Sequence, residues 1–228
     1  MADDYGLVVY GDSGSVQVDS TYSNLALVAK GTATTTTSAN NGYYVDISYT
    51  GTNPVIAIQN SDGYYTVLGL VTVSGSTWTW RFLSPITQQS SFTYFIFDQP
   101  SASSTTGYGL VVKNASGVVT FNSNNSYMRV LGFSQTTSDA TQSETTVATY
   151  AGKTVAFVPG GISFYQLYTP GTTSTGTLRY LFGTYRVSGS TVYVKGGINT
   201  QFTTSSAGAS YSAIRQNISG LFIDVTNM

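Results

Sequence analysis

Acidic side chains are the first candidates for chemistry in this sequence, and there are few of them. It contains one glutamate, Glu144, and nine aspartates, several of which stand at turn or strand-end patterns, such as Asp12, Asp62 and Asp98. A glycosidase needs two carboxylates on opposite sides of a sugar bond, one of them with a raised pKa. No spacing marks such a pair here, and aspartate at turns usually accepts local backbone hydrogen bonds. We therefore expect that the protein is not an enzyme.

Cysteine and histidine, which supply most nucleophiles, general bases and metal ligands, are both absent. Without cysteine there are no disulfides, thiol nucleophiles or thiolate metal sites. Without histidine the most common general base and most zinc and iron ligand sets are missing. The stretches "NSDG", residues 60–63, and "SDA", residues 138–140, lack the regularly spaced acids of a calcium site. We expect no metal and no other cofactor.

The aromatic stretch "WTWRF" could support a different chemistry, because exposed aromatic rings stack on sugars. Alternation along a strand puts Trp78, Trp80 and Phe82 on one face. When the chain is aligned with its own later repeat, the two tryptophans fall opposite Val192 and Val194. A face that is apolar in both copies indicates a core, so we expect these rings to pack inward rather than to form a binding platform.

Tyrosine is abundant, with 18 residues, and two adjacent pairs stand out, Tyr43-Tyr44 and Tyr64-Tyr65. Neighbouring side chains on a strand point to opposite faces, so one member of each pair packs inward and the other reaches solvent or a partner. Tyrosine is enriched at interfaces. The candidate interface or glycan contacts are Tyr44, Tyr65, Trp78 and Trp80. Ordinary strand tyrosines explain the same pattern, and both interpretations stay open.

These side chains belong to a chain that repeats itself. Residues 5–20, "YGLVVYGDSGSVQVDS", return at residues 108–123 as "YGLVVKNASGVVTFNS". Two shorter echoes follow in the same order: "VSGST" at residues 73–77 and 187–191, and "FIFD" and "LFID", which end at Asp98 and Asp224. Echoes in one order with a growing offset indicate two homologous units, the second enlarged by insertions.

The repeated stretch predicts a hairpin with one apolar face. Gly14 and Gly117 stand where a hairpin loop needs a positive backbone dihedral. Alternation from Val119 onward predicts that Thr120 and Asn122 face solvent. The motif positions shared by the two copies are Gly6, Leu7 and Gly14 in the first and Gly109, Leu110 and Gly117 in the second.

Abundant β-branched and aromatic residues, with closely spaced turn signals, predict strands along the whole chain. The predicted fold class is all-β, with two tandem homologous antiparallel β-sandwich domains, and a barrel closure is the main alternative. Domain 1 takes residues 1–100, a linker residues 101–106, and domain 2, with insertions, residues 107–228. Each half is expected to have its own core and to fold alone. Residues 169–177 are expected to form an exposed inserted loop.

The charge pattern excludes some partners. Only 8% of the residues are charged, nine basic against ten acidic, and no basic cluster could follow a phosphate backbone, so we expect no nucleic acid. The N-terminal stretch "MADDYGLVV" carries acids where a secretory signal carries basic residues, and no apolar stretch could span a bilayer. We expect neither a signal peptide nor membrane insertion.

Residues 108–132 read "YGLVVKNASGVVTFNSNNSYMRVLG". This stretch resembles the opening of small β-rich structural proteins encoded among the tail and virion genes of tailed bacteriophages. Their pattern is roughly Gly-Leu-x-Val-x-Asn-x-Ser-Gly, an apolar pair, Asp-Ser or Asn-Ser, and a short apolar strand. It maps onto Gly109, Leu110, Val112, Asn114, Ser116, Gly117, Ser123 and Val130. The first copy departs from the pattern by carrying Gly11 where the second has Asn114.

The resemblance implies a virion structural role and brings no catalytic residues. We expect a protein of the tail, tail tip, baseplate or fibre apparatus that assembles with copies of itself and with other virion proteins, and that contacts the host surface. Such a protein is assembled in the host cytoplasm and released by lysis. A head-decoration or neck protein is an alternative within the same class. A tandem carbohydrate-binding module is the alternative from another class.

Overall fold

The computed structural model describes residues 8–10, 16–19, 23–39, 42–60, 62–100, 108–137, 143–161, 163–170, 175–206, 212–215 and 217–228. In these ranges the chain forms nineteen strands. The described residues contain no helix, and therefore no helical membrane-spanning segment. All strand pairs are antiparallel. The all-β class expected from the sequence is confirmed.

Strand bounds follow the alternating segments of the sequence. The first half holds β1 (Val8–Tyr10), β2 (Val16–Asp19), β3 (Ala26–Thr34), β4 (Thr37–Ala39), β5 (Gly42–Thr50), β6 (Val55–Asn60), β7 (Val67–Ser74), β8 (Thr77–Ser84) and β9 (Ser91–Asp98). The second half holds β10 (Val111–Lys113), β11 (Val119–Asn122), β12 (Arg129–Thr137), β13 (Thr145–Thr149), β14 (Val155–Pro159), β15 (Ser163–Pro170), β16 (Thr175–Ser188), β17 (Thr191–Ser206), β18 (Ser212–Arg215) and β19 (Asn217–Asp224).

The repeated stretch forms the same hairpin twice. β1 pairs with β2, and β10 pairs with β11, in the same register and with a bulge at the same place. Val8 lies opposite Asp19 in the first copy, and Val111 lies opposite Asn122 in the second. Gly117 has a φ of +78°, as the turn pattern predicts. The other predicted turn glycine, Gly14, and the motif residues Gly6 and Leu7 lie outside the described residues.

The expectation that Thr120 and Asn122 face solvent is wrong, because both side chains are buried. The Thr120 hydroxyl donates to the carbonyl oxygen of Val112 at 3.3 Å. The Asn122 side-chain oxygen accepts the amide N–H of Asn124 at 3.0 Å. Local hydrogen bonds of this kind let polar side chains enter the interior, which alternation alone does not reveal.

Both halves of the chain contribute to one six-stranded sheet, with the strand order β12-β19-β14-β6-β9-β3. β3, β6 and β9 come from the first half, and β12, β14 and β19 take the corresponding places in the second. The two sets meet where Ile58 of β6 pairs with Phe157 of β14. The order of the second set therefore mirrors that of the first about this central pair of strands.

The two edges of this sheet meet at one end. The amide of Leu27 donates to the carbonyl of Ser126 at 2.7 Å, and the amide of Met128 donates to the carbonyl of Leu25 at 2.9 Å. The sheet is therefore closed next to the starts of β3 and β12, as a barrel is, and the described residues show no other strand pairing between these edges. Its enclosed face carries a small apolar core of Ala57, Phe95, Phe97, Ala156, Ile223 and Val225.

The other face of the six-stranded sheet packs against two further sheets, β4-β5-β8-β7 and β13-β17-β16-β15-β18. The main core between these layers draws on both halves: Ile47, Ile56, Ile58, Trp80, Phe82, Phe92 and Ile96 from the first, and Val155, Phe157, Tyr185, Val187, Val192, Val194, Ile218 and Phe222 from the second. The expectation of a separate core in each half does not hold in the described residues. The domain boundaries at residues 1–100, 101–106 and 107–228 stay a prediction.

The shorter echoes also have structural counterparts. Both "VSGST" segments are tight turns with a glycine at φ +59°, Gly75 between β7 and β8 and Gly189 between β16 and β17. Residues 169–177 were expected to form a loop, but β15 and β16 stay paired as far as Pro170 and Gly176. The paired strands β15 and β16 therefore extend into the predicted loop from both sides, since their sequences are rich in β-forming residues. Residues 171–174 lie outside the described residues.

Candidate functional site

The aromatic face of "WTWRF" lies in the interior. Trp80 is 4% exposed and packs in the main core with Phe82, while Trp78 is half-buried against that core. The two indole rings stack with their centroids 6.4 Å apart. Val192 and Val194, the positions aligned with them, are also buried, so the repeat identified the inward face of both strands.

The candidate tyrosines have different surroundings. Tyr44 is half-buried, and the guanidinium of Arg81 lies 4.3 Å from the centroid of its ring. Tyr65 is buried, whereas its neighbour Tyr64 is exposed. The Tyr64-Tyr65 pair thus points to opposite sides, as a strand-like segment requires. The four candidate contacts do not form one continuous exposed surface, because Tyr65 and Trp80 are both buried.

Tyr65 belongs to a polar cluster that joins the two halves of the chain, here called the Glu144 cluster. Its hydroxyl donates to Glu144 Oε2 at 2.6 Å. Arg186 Nη2 donates to the same carboxylate, 3.1 Å from Oε1 and 3.0 Å from Oε2. The Arg186 guanidinium lies 4.6 Å from the ring centroid of Tyr193, and the Lys195 ammonium lies 5.8 Å from that of Tyr65. These five residues define the cluster.

The cluster holds its charges in fixed states at neutral pH. Partial burial raises the pKa of the Glu144 carboxyl, but the hydrogen bonds from Tyr65 and Arg186 outweigh it, and the net shift is downward. Burial and the Glu144 carboxylate raise the pKa of Tyr65, which keeps its hydroxyl a donor. The Arg186 side chain is only 12% exposed, and its Nε atom is buried without a hydrogen-bond partner. Glu144 is therefore an anion that neutralises a largely buried cation.

A pocket of about 440 Å³ opens beside this cluster, here called the Glu144 pocket. Its lining residues are Gly63, Tyr64, Tyr65, Pro85, Ile86, Thr87, Glu144, Lys195 and Ile198. Its volume is within the range of small-molecule sites in proteins. The "VSGST" alignment sets Arg186 opposite Thr72, and this change of charge between the copies is the signal that could have pointed to the cluster.

A second feature is the exposed edge of the four-stranded sheet. Along β7, which pairs only with β8 among the described strands, Leu70, Val71 and Val73 are exposed. The corresponding positions of β16 for the two valines are Tyr185 and Val187, and these are 1% and 0% exposed in the main core. β16 crosses β6 and β14 at the centre of the six-stranded sheet. Of these two aligned strands, β16 is thus buried in the second half and β7 is exposed in the first.

Other exposed apolar side chains lie on the second copy of the hairpin and on β12. Leu110 and Val118 are exposed in the hairpin, and Val130 and Phe133 are exposed on β12. A Cβ atom at Gly109 would lie 2.5 Å from the hydroxyl oxygen of Ser123, so this motif glycine allows the close approach of the two strands. The repeated motif therefore corresponds to hairpin packing at Gly109, and its Leu110 side chain is exposed.

Among the described residues, no group of three or more acidic side chains is placed to hold a metal ion. Asp98 and Asp224 are buried at the ends of β9 and β19, and their carboxylates accept backbone N–H groups of the loops nearby, from Thr52 and Asn53 to Asp98 and from Thr226 to Asp224. The third echo of the sequence thus has a structural role.

These features define an all-β protein of antiparallel sheets with an open uncharged strand edge and a small charged pocket. No protein-family model, curated protein or solved structure matches the chain.

Proposed function

We propose that this protein is a structural component of the virion of a tailed bacteriophage, in the tail, tail tip, baseplate or fibre apparatus. It acts by assembling with copies of itself and with other virion proteins, and it carries out no reaction. The proposal is supported by the resemblance of residues 108–132 and by a surface in which charge is scarce. A position in the head decoration or the neck fits the same features.

The observation that carries the assembly role is the open edge of β7. Val71 is 41% exposed and Val73 is 52% exposed, and no residue of β7 is charged. An exposed apolar edge strand presents unpaired backbone donors and acceptors to any other strand, and proteins that avoid association usually protect such an edge with lysine, proline or a bulge. The bulge of β7 lies near its start, between Leu68 and Leu70, so the exposed part remains regular.

A strand from another subunit would extend this sheet by backbone hydrogen bonds and cover the two valines. One strand pair buries less area than a stable isolated complex needs, so we expect weak association in dilute solution. In a particle with many copies the same contact is repeated, and its effect is multiplied. An uncharged edge suits this use, because identical subunits would otherwise place like charges next to each other.

Light scattering of the purified protein over a range of concentrations tests the role of this edge. The variant Val73→Lys places a charge on the edge and is expected to shift the protein toward the monomer. Val118→Lys is the matched control, since Val118 is 53% exposed on a hairpin turn. Equal self-association of the two variants, or a wild type that stays monomeric at every concentration, would contradict assembly through β7.

Immunogold electron microscopy of intact particles tests the virion assignment itself. Label on the tail or its tip is the expected result, and label on the head would move the protein to the decoration or neck role. Absence of label on both intact and disrupted particles of the source phage would refute the virion proposal.

A further inference from the structure

Among the described residues, the Lys195 ammonium of the Glu144 pocket is a cation without an ion-pair partner. Glu144 and Arg186 pair with each other at 3.0 Å, and Lys195 has no carboxylate within 4.0 Å among the described residues. Asp62 lies next to the pocket and keeps its negative charge, but its two carboxylate oxygens accept the backbone N–H groups of Tyr64 and Ser91 and make no ion pair with Lys195. The cluster therefore has a net charge of about +1, and the Lys195 ammonium is the group free to contact an anion.

The net charge of the Glu144 cluster limits the charge of the anion that the pocket can bind. A phosphate group carries close to two negative charges and usually needs several donors, such as a bidentate arginine. Here the arginine is occupied by Glu144, and the carboxylate itself would repel a second negative charge. One lysine beside a neutralised ion pair fits a single carboxylate group.

The rest of the lining fits a ring with apolar faces and hydroxyl edges. Tyr64, Pro85, Ile86 and Ile198 provide apolar surface, and the exposed ring of Tyr64 is available for stacking. The Glu144 carboxylate and the Thr87 hydroxyl can accept hydrogen bonds from hydroxyl groups. Sugar rings combine these properties, because their C–H groups lie on the faces and their hydroxyls around the edge.

We propose that the Glu144 pocket binds a saccharide that carries a single carboxylate, as uronic acids do. Lys195 contacts the carboxylate, Tyr64 stacks on the ring, and the Glu144 carboxylate accepts a hydrogen bond from a sugar hydroxyl. Arg186 and Tyr65 are positioning residues, because both donate hydrogen bonds to the Glu144 carboxylate, Arg186 from outside the pocket lining and Tyr65 from its wall. The site lies apart from Trp78 and Trp80, so it is independent of the aromatic stretch "WTWRF".

Galacturonic acid and galactose form a matched pair of probes, since they differ only in the oxidation of one carbon to a carboxylate. Calorimetric or NMR titration of the full chain should show binding of galacturonic acid, or of glucuronic acid, at least about tenfold tighter than the neutral sugar, as expected for one hydrogen-bonded ion pair. The preference should decrease with added salt.

Variants assign the roles of individual side chains. Lys195→Met should bring the uronic acid to the affinity of galactose, whereas Lys113→Met, on the exposed hairpin, should change nothing. Tyr64→Ala should weaken both sugars. Near-ultraviolet circular dichroism of each variant checks that the fold is retained.

Four results would overturn the inference: no binding of either uronic acid by the wild type, equal binding of uronic acid and galactose, an unchanged preference in Lys195→Met, or acetate binding as tight as that of the uronic acid. Acetate is the remaining control, and acetate binding as tight as that of the uronic acid would make the pocket a simple anion site. None of these outcomes bears on the β7 edge, so the assembly proposal is tested separately.

Discussion

Ile58 of β6 pairs with Phe157 of β14, and at this pair the two halves of the chain become one sheet. Both side chains are fully buried and lie in the main core. Each half contributes three strands to the six-stranded sheet, and each places one smaller sheet on the same face of it. The two halves of the chain thus share one interior.

Separate fragments test how far the halves depend on each other. We expect residues 1–100 and residues 107–228, expressed alone, to lack the dispersed NMR spectrum of a packed core, because each loses the apolar side chains that the other half supplies. Mixing the two should restore the native spectrum. A native-like spectrum from either fragment alone would show that its half of the core is sufficient, as the tandem-domain prediction requires.

Local pattern predicted the elements of this fold better than their arrangement. The repeat identified the hairpins, the turns at Gly75 and Gly189, and the inward face of Trp80. It did not reveal the pairing of Ile58 with Phe157, because alternation shows which face of a strand is buried and carries no information on the neighbouring strand. The sequence pattern of each half would be the same whether the two halves formed separate sheets or one joined sheet.

Tyr185 is one of the largest side chains in this joined interior. It is fully buried, and its hydroxyl lies 3.2 Å from the carbonyl oxygen of Ser134 and 3.3 Å from that of Ile218. Tyr185→Phe keeps the ring but removes the donor, so we expect a loss of about 1 kcal/mol in the free energy of unfolding. Denaturant titration measures the loss. Tyr108→Phe, at a fully exposed tyrosine, should have no effect. An equal stability of the two variants would contradict the role of the hydroxyl.

The ion pair of Glu144 with Arg186 should contribute more than the exposed pair of Asp46 with Arg81. The side chain of Arg186 is 12% exposed and that of Arg81 is 39% exposed. Glu144→Gln leaves a largely buried guanidinium without its anion, and we expect a cost of about 1 to 2 kcal/mol. Asp46→Asn should cost less than about 1 kcal/mol, as is typical of surface pairs.

A double-mutant cycle separates the pair from its surroundings. If Glu144 acts through Arg186, Arg186→Met should cancel most of the effect of Glu144→Gln. Additive losses of stability would show that the two side chains act independently. Denaturant titration at neutral pH is the appropriate measurement for all four proteins of the cycle.

The Glu144 cluster was not predicted from the sequence. Glu144 is the one glutamate of the sequence, but its distance along the chain from Arg186 and Lys195 gives no sign that the three side chains meet. These cations come from neighbouring strands of the second half, whereas Tyr65 and most of the other pocket walls come from the first. A site built across the two halves cannot be seen until their packing is known.

Stability toward acid should depend on Asp224. This carboxyl is buried at the end of β19, with Lys153 Nζ at 3.0 Å and Arg129 Nη2 at 3.7 Å. Burial raises the pKa of Asp224, but the hydrogen bonds from Thr226 and the two cations outweigh it and hold the pKa at about 2, below the ordinary value of 3.8. Because the folded state has the lower pKa, the ionised carboxylate stabilises the protein above about pH 4, and the effect is lost as the pH falls toward 2.

Comparison with Asp224→Asn isolates this contribution from that of the other acids. At neutral pH the wild type should be more stable by about 2 kcal/mol, the free energy that corresponds to the lowered pKa. The difference should shrink as the pH is lowered from about 4 toward 2, because protonated Asp224 and asparagine are alike in charge. Glu144 and Asp46 also have lowered pKa values, so both proteins should lose stability in this range. A difference between wild type and variant that stays constant down to the lowest pH would show that the ionised form of Asp224 does not stabilise the fold.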